Sequence, residues 1–480
     1  MSVKIGTRAA QEPEADLRGR ARQGTSRPVL LAMFTGLWVT VFAISARAPI
    51  VLIAFCICGL AGSLISARRG RAPLRVFVLV YCSNVLATMA LYAIYMKRYG
   101  SPYYVGGSDD RAFELLAKEV ALSTGVLEYS SIRGNIVSRT YPCVGYVYLV
   151  SLLYRVGELL GGFHTMLPRL FNAMSLGLVS VFTYLLGKRY HLSRRVSMGV
   201  AFSVGLFPMA MYTAAHTFRD VLTSLLTIWV VYIWSNNFDR FRLRHRLWSW
   251  VQTLAIVGVL DELRTYQAVA TLAIALVGDL LSSRQRFGQL TKANLYRLAV
   301  LVVCIVALFV FQQRLAWFGG RLERAQEGYS QYRIGLSDGL AAYVFSAPAP
   351  LTYVLRVSYA LISPLPILSG EVERVWLSAG TVFQFFFLPF LAVGFVRSIR
   401  DRTKWLLLTA FGVLFLGVAL ISFAGRHIVQ FLPYGALIAG IGFERYRKYR
   451  MPVWVTAGWV GMVLALTYIA LKVHYLSPDW

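Results

Sequence analysis

PVLLAMFTGLWVTVFAISA (residues 28–46) and PIVLIAFCICGLAGSLIS (residues 49–66) contain no charged side chain, and only Arg47-Ala48 separates them. Each run has the roughly 17–25 residues an α-helix needs to cross a hydrocarbon core. Back to back, they read as a tight transmembrane hairpin. Apolar runs of similar length recur along the 480 residues, of which 57% are hydrophobic and 15% charged, against roughly 25% charged in a soluble domain. Mean hydropathy is +0.58. The sequence therefore predicts an all-α polytopic membrane protein.

Charge supports this reading. The formal net charge of +27 would suggest a nucleic-acid partner in a soluble protein. Here Lys and Arg cluster in short loops between apolar runs, the positive-inside pattern that orients spans, and no nucleic acid is implied. Of the five cysteines, Cys56, Cys58, Cys82 and Cys304 lie in apolar runs and Cys143 lies near an interface. None has disulfide or metal spacing. Residues 1–27 are polar and Arg-rich with no early apolar core, so they read as a cytoplasmic tail rather than a signal peptide.

The hairpin (28–75 with its basic exit) leads to a span at 76–96 and an external polar loop at 97–140. Within that loop, Ala112, Phe113, Leu115, Leu116, Val120 and Leu122 predict an amphipathic helix over 109–122 lying on the membrane. Counting 141–161 as a span would place Lys188-Arg189 and the basic run Arg240–Arg246 outside. Reading it as a re-entrant or interfacial helix restores the charge rule; a broken helix elsewhere is the alternative. Spans then follow at 168–187, 196–214, 220–235, 248–260, 266–281 and 298–315, with basic loops at 240–246 and 284–297 inside. A second external region, 316–373, carries interfacial helices broken by Pro348, Pro350, Pro364 and Pro366. Four spans between 374 and 480 complete a chain of about 13 transmembrane helices.

Candidate chemistry gathers on the outer side. Gly106-Gly107-Ser108-Asp109-Asp110-Arg111-Ala112-Phe113-Glu114 places adjacent carboxylates just outside a span. Helix capping explains them in part; a general base for an acceptor hydroxyl is the functional reading. Arg169 opens a span, either as a snorkelling anchor or turned inward to hold phosphate or brace the acids. His216, Arg219 and Asp220 fall on the same face, as do Asp261-Glu262-Leu263-Arg264 and Arg426-His427. Arg321, Arg324, Arg333 and Arg356 belong to the second external region. Intramembrane charges pair or line polar cavities, and guanidinium groups match phosphate oxygens in two-point geometry.

There is no P-loop, dinucleotide motif or His-Glu-x-x-His, and no cytoplasmic stretch long enough for a nucleotide-sugar domain. An activated donor must therefore arrive attached to lipid. The order of the acidic pair, Tyr141-Pro142, Arg169-Leu170-Phe171-Asn172-Ala173 with Gly187-Lys188-Arg189, Phe207-Pro208 to Arg219-Asp220, and Gly425-Arg426-His427 with Pro433 resembles the GT-C superfamily of membrane glycosyltransferases. That group includes the dolichyl-phosphate-mannose protein mannosyltransferases and the lipid A aminoarabinose transferases. The resemblance spans roughly 76–440, with a catalytic membrane module over 76–315. The chain departs from it in the preceding hairpin and in lacking a large C-terminal soluble domain.

The resemblance implies an inverting transfer of sugar from a polyprenyl-phosphate donor to a glycan or glycolipid acceptor. The reaction would lie on the non-cytoplasmic face of a bacterial cytoplasmic membrane, in cell-surface polysaccharide or glycolipid assembly. It makes Asp109 or Asp110 the base, Asp109 being favoured, and Arg219, Arg264 or Arg426 the stabiliser of the departing phosphate. Arg169, His216, Asp220, Glu262, Arg356 and His427 complete the expected site. No metal site is assigned, although Asp109, Asp110 and Asp220 leave a divalent cation open. A repeat-unit polymerase acting on diphosphate lipids would use the same arginines. A transporter or flippase would be expected to show two similar halves or paired helix breaks, which the sequence lacks.

Overall fold

The computed structural model describes residues 26–103, 109–123, 144–237, 243–283, 344, 348, 351–362, 372–421, 425–446, 454–462 and 465. Every regular element among them is helical. Seven described helices are long and apolar enough to cross a membrane, or eight if one bent pair counts as a span, so this is a multi-pass membrane protein. The expected span at 298–315, the loop 284–297, Arg321, Arg324, Arg333, Cys143 and Cys304 lie outside the described residues, as does most of 316–373.

Helices α1 (Ser26–Ser45) and α2 (Pro49–Ala67) form the N-terminal hairpin. Helix α3 (Arg71–Tyr99) follows and ends at Gly100, whose φ of 65° supplies the left-handed cap, its N–H reaching the Met96 carbonyl. Helix α6 (Met166–Arg189) is the most enclosed of the candidate spans among the described residues. It packs on α3 through Phe77, which occupies a slot made by two glycines. A Cβ on Gly62 would lie 2.0 Å from Phe77 Cζ, and one on Gly177 2.9 Å from Phe77 Cε2.

The expected span at 196–214 is broken. Helices α7 (Arg194–Gly205) and α8 (Pro208–Ala214) meet at 51°. Pro208 has no N–H to continue the ladder, and Asn84 of α3 donates to the Gly205 carbonyl at 3.0 Å. The break turns the end of α8 toward α9 (Asp220–Asn236).

Two further expectations change. The basic run at 240–246 is not all loop: helix α10 (Leu243–Leu263) already includes Arg246, which is buried beside Asp279 at 3.7 Å. A buried guanidinium needs a counter-charge, and Asp279 of α11 (Thr265–Ser283) supplies it. The helix expected at 109–122 is present as α4 (Asp109–Ser123), but its apolar positions divide. Phe113, Ala117 and Val120 pack on Val144, Val147 and Val150 at α5 (Gly145–Leu159), whereas Leu115 and Leu122 remain exposed. Helix α4 is thus docked to protein along one face rather than resting on lipid alone. At 15 residues, α5 is about 22 Å long, less than the ~30 Å hydrocarbon core.

The C-terminal half contains α12 (Leu351–Ile362), α13 (Val372–Ile399), α14 (Trp405–Ile421), a 3-10 turn over Gly425–Gln430 and α15 (Leu432–Arg445). Helices α13 and α15 cross backbone to backbone. A Cβ on Gly394 would fall 1.8 Å from the Ile438 carbonyl oxygen, and one on Gly442 2.1 Å from that of Phe390. Close crossings of this type rely on small residues. Gly394→Val or Gly442→Val should destabilise the detergent-solubilised protein by at least the ~1–3 kcal/mol typical of overpacking. Gly412→Ala, whose Cβ meets nothing, should change stability by no more than ~1 kcal/mol; thermal unfolding checks both.

Candidate active site

Four chain segments converge at one end of the bundle: the start of α4, the α8–α9 turn, the α10–α11 junction and the 3-10 turn before α15. Each is a helix end, where backbone groups without helical partners favour polar side chains.

Asp220, in the first turn of α9, is the hub. Its Oδ1 accepts from Arg264 Nη1 at 2.7 Å and from Gln430 Nε2 at 3.2 Å, with His427 Nε2 3.6 Å away. Arg264 stands at the break between α10 and α11 and also donates to Tyr266 Oη at 3.0 Å. Tyr266 closes the ring by donating to Gln430 Oε1 at 2.8 Å. Arg264 Nη2 lies 3.3 Å from His427 Nε2. Asp220, Arg264, His427 and Gln430 are all buried.

A second pair stands in front of this ring. Arg426, beside His427 on the 3-10 turn, donates from Nη2 to Asp109 Oδ2 at the start of α4. Its guanidinium carbon lies 4.5 Å from the Phe218 ring centre. Arg219 donates to the Leu263 carbonyl at 2.8 Å and covers the Phe113 ring at 5.5 Å, joining α9, α10 and α4. The two ion pairs differ in burial. The side chains of Asp220 and Arg264 are 2% and 8% exposed, those of Asp109 and Arg426 34% and 23%.

Asp110, Arg169 and His216 are buried. Asp110 is fully buried, its Oδ1 accepting from the Arg111 N–H at 2.9 Å. Arg169 is 1% exposed, not a snorkelling anchor. It donates to the Pro102 carbonyl at 2.5 Å and lies over Tyr92 at 5.8 Å, within electrostatic reach of Asp110 and Glu114. His216 Nδ1 lies 2.8 Å from the Tyr212 carbonyl oxygen, and the ring stacks on Phe218 and meets Tyr95 edge-on and Tyr212 at a tilt. Burial, assisted by Arg169, pushes its pKa down to about 3, so His216 is neutral at physiological pH.

Glu262 packs its backbone against Gly145, where a Cβ would lie 2.9 Å from the Glu262 carbonyl oxygen. Arg356 donates to the Leu420 carbonyl at 3.5 Å, and no contact among the described residues joins it to Asp109 or Asp220. No group of three or more His, Cys, Asp or Glu side chains among the described residues is arranged to hold a metal ion.

Sequence reasoning missed the residues that hold these in place. Asn172 donates through Nδ2 to the His216 and Phe218 carbonyls, both at 2.9 Å, and so fixes the α8–α9 turn. Glu114 accepts from Tyr103 Oη and Thr165 Oγ1, each at 2.8 Å. Its position four residues after Asp110, on the same helix face, was the available signal. Gln430 and Tyr266 carried none, because neutral residues in apolar runs do not stand out.

Breaking a buried pair from one side costs roughly 3–5 kcal/mol, whereas an exposed pair contributes about 0–1 kcal/mol. Asp220→Ala should therefore destabilise the protein by the larger amount, and Asp109→Ala, which breaks a part-buried pair, by less. Thermal unfolding of the two variants side by side checks the ordering.

No family model and no curated protein matches the chain. Among solved structures it is similar to the archaeal oligosaccharyltransferase AglB from Archaeoglobus fulgidus, determined with an inhibitory peptide and a dolichol-phosphate. The match has a TM-score of 0.41 and 13% identity, and covers 84% of this chain and 56% of that one. This chain thus spans little more than half the length of that enzyme.

Proposed function

We propose that the chain is a GT-C-type glycosyltransferase moving a sugar from a polyprenyl-phosphate donor to an acceptor hydroxyl in cell-surface polysaccharide or glycolipid assembly. The observation that carries this reading is the part-exposed Asp109–Arg426 pair set on the buried Asp220–Arg264–His427–Gln430 ring. A buried network holds a carboxylate and a guanidinium side by side where both are part-exposed and within reach of a substrate.

In the proposed reaction Arg426 turns from Asp109 to the donor phosphate. The Asp109 carboxylate takes the proton of the acceptor hydroxyl, whose oxygen bonds to the anomeric carbon from the face opposite the phosphate. The bond between that carbon and the phosphate oxygen breaks, and its electron pair leaves with the polyprenyl phosphate. Arg426 stabilises the charge that develops there, and the product has inverted anomeric configuration. Asp110 is too enclosed for the base role, which leaves Asp109. Arg264 is committed to Asp220 and acts by positioning the turn that bears Arg426.

The basic turns Lys188-Arg189, Arg194-Arg195 and Arg397–Lys404 lie at helix ends remote from the acid pair. By the positive-inside rule this supports a site on the non-cytoplasmic face of a bacterial cytoplasmic membrane.

Asp109→Asn should lower transfer by about 10²–10⁴-fold, the usual contribution of a general base. Arg426→Gln should lower it by about 10²–10³-fold. The assay follows label from a polyprenyl-phosphate sugar into an acceptor panel. Undiminished transfer by Asp109→Asn would remove the proposed base, and chain lengthening on a diphosphate-linked donor would favour a polymerase.

A further inference from the structure

Away from the charged ring, a lateral cavity of about 640 Å³ opens between α7, α13, α15 and the helix at 454–462. Its walls are apolar, with Phe383, Phe386, Phe390, Phe443 and Trp454 among them. Phe383, Phe386 and Trp454 are 51%, 40% and 46% exposed, so the cavity opens to the side, toward the bilayer, rather than being sealed within the protein. A groove open to lipid fills with a lipid chain.

Its charged lining is confined to one end. Ser193 and Arg195 stand at the mouth, on the turn that starts α7, close in sequence to Lys188, Arg189 and Arg194. Glu444, next to the lining residue Phe443, accepts from the Ser193 N–H at 3.3 Å and hydroxyl at 2.9 Å. Arg195 is exposed and makes no ion pair with the described residues. The mouth thus offers a guanidinium and the groove offers an apolar trough, the two halves of a site for an anionic lipid. Basic pockets between helices on the cytoplasmic side bind anionic headgroups, and the positive-inside rule puts this end there.

The trough does not stop at α7. A second cavity of about 50 Å³ shares Ser203 and Phe387 with the first and is walled at its far side by Ile428 and Phe431. Ile428 lies between His427 and Gln430 on the 3-10 turn, and Phe431 follows it directly.

We propose that this groove binds one anionic phospholipid of the cytoplasmic leaflet. Its phosphate sits at Arg195, and one acyl chain runs past Gly199 toward Ser203. The lipid fills the space between α7, α13 and α15 and so braces the turn that carries His427 and Gln430. The proposal does not depend on the transfer reaction.

The test uses full-length protein, delipidated in neutral detergent and titrated with phosphatidylglycerol or phosphatidylcholine while thermal unfolding is followed. Phosphatidylglycerol should raise the unfolding temperature at lower concentration than phosphatidylcholine. Arg195→Gln, an exposed substitution, should raise the phosphatidylglycerol concentration needed by about fivefold, the weight of one basic residue near an anionic lipid. Gly199→Phe projects into the groove from a position where a Cβ meets nothing within 4 Å. It should abolish the response to both lipids while leaving the lipid-free unfolding temperature unchanged. Equal responses to the two lipids in wild type and Arg195→Gln would overturn the proposal. So would a full phosphatidylglycerol response in Gly199→Phe, or a Gly199-dependent response to polyprenyl phosphate with none to phosphatidylglycerol. If Gly199→Phe does not fold, the Arg195→Gln comparison still decides the headgroup claim.

Discussion

The buried contact between Asp220 and Arg264 is the constraint the rest of the site depends on. Two charges at membrane depth persist only when they satisfy one another, and here they also engage His427, Gln430 and Tyr266. Those residues come from three separate stretches of chain, so the ring fixes α9, the α10–α11 junction and the turn before α15 in one arrangement. Arg426 rides on that turn. Its meeting with Asp109, more than three hundred residues earlier, follows from the ring rather than from any strong attraction of its own.

Packing farther away serves the same end. The Phe77 slot fixes α3 on α2 and α6, and α6 presents Asn172 to the α8–α9 turn. Pro208 breaks the span where Asn84 can take up the Gly205 carbonyl. The Gly394–Gly442 crossing draws α13 onto α15, whose start follows directly from the Arg426 turn. The bundle is rigid behind the site, and the Asp109–Arg426 pair is its more exposed charged contact.

Much of this was legible in the sequence. Hydrophobic run lengths predicted several of the long apolar helices, because hydrocarbon thickness acts on composition directly. The gathering of Asp109, Arg219, Asp220, Arg264, Arg426 and His427 at one end followed from counting spans. Their pairing did not: nothing local tells whether Asp109 meets Arg426, Arg264 or Arg219, since that depends on helix rotation and crossing. The enclosure of Arg169 and the inclusion of Arg246 in a helix were hidden for the same reason. Both depend on partners distant in the chain, the Pro102 carbonyl and Asp279. The neutral residues that complete the ring, Gln430 and Tyr266, gave no signal because their value lies in hydrogen bonds visible only after folding.

The central claim is that Asp109 and Arg426 act as one unit held in register by the buried ring. Residues that act as a unit are strongly non-additive. A double-mutant cycle on sugar transfer, comparing Asp109→Asn, Arg426→Gln and the two combined, measures this directly. The account predicts that the combined variant is scarcely worse than the poorer single one. Losses that multiply, as for independent residues, would contradict it.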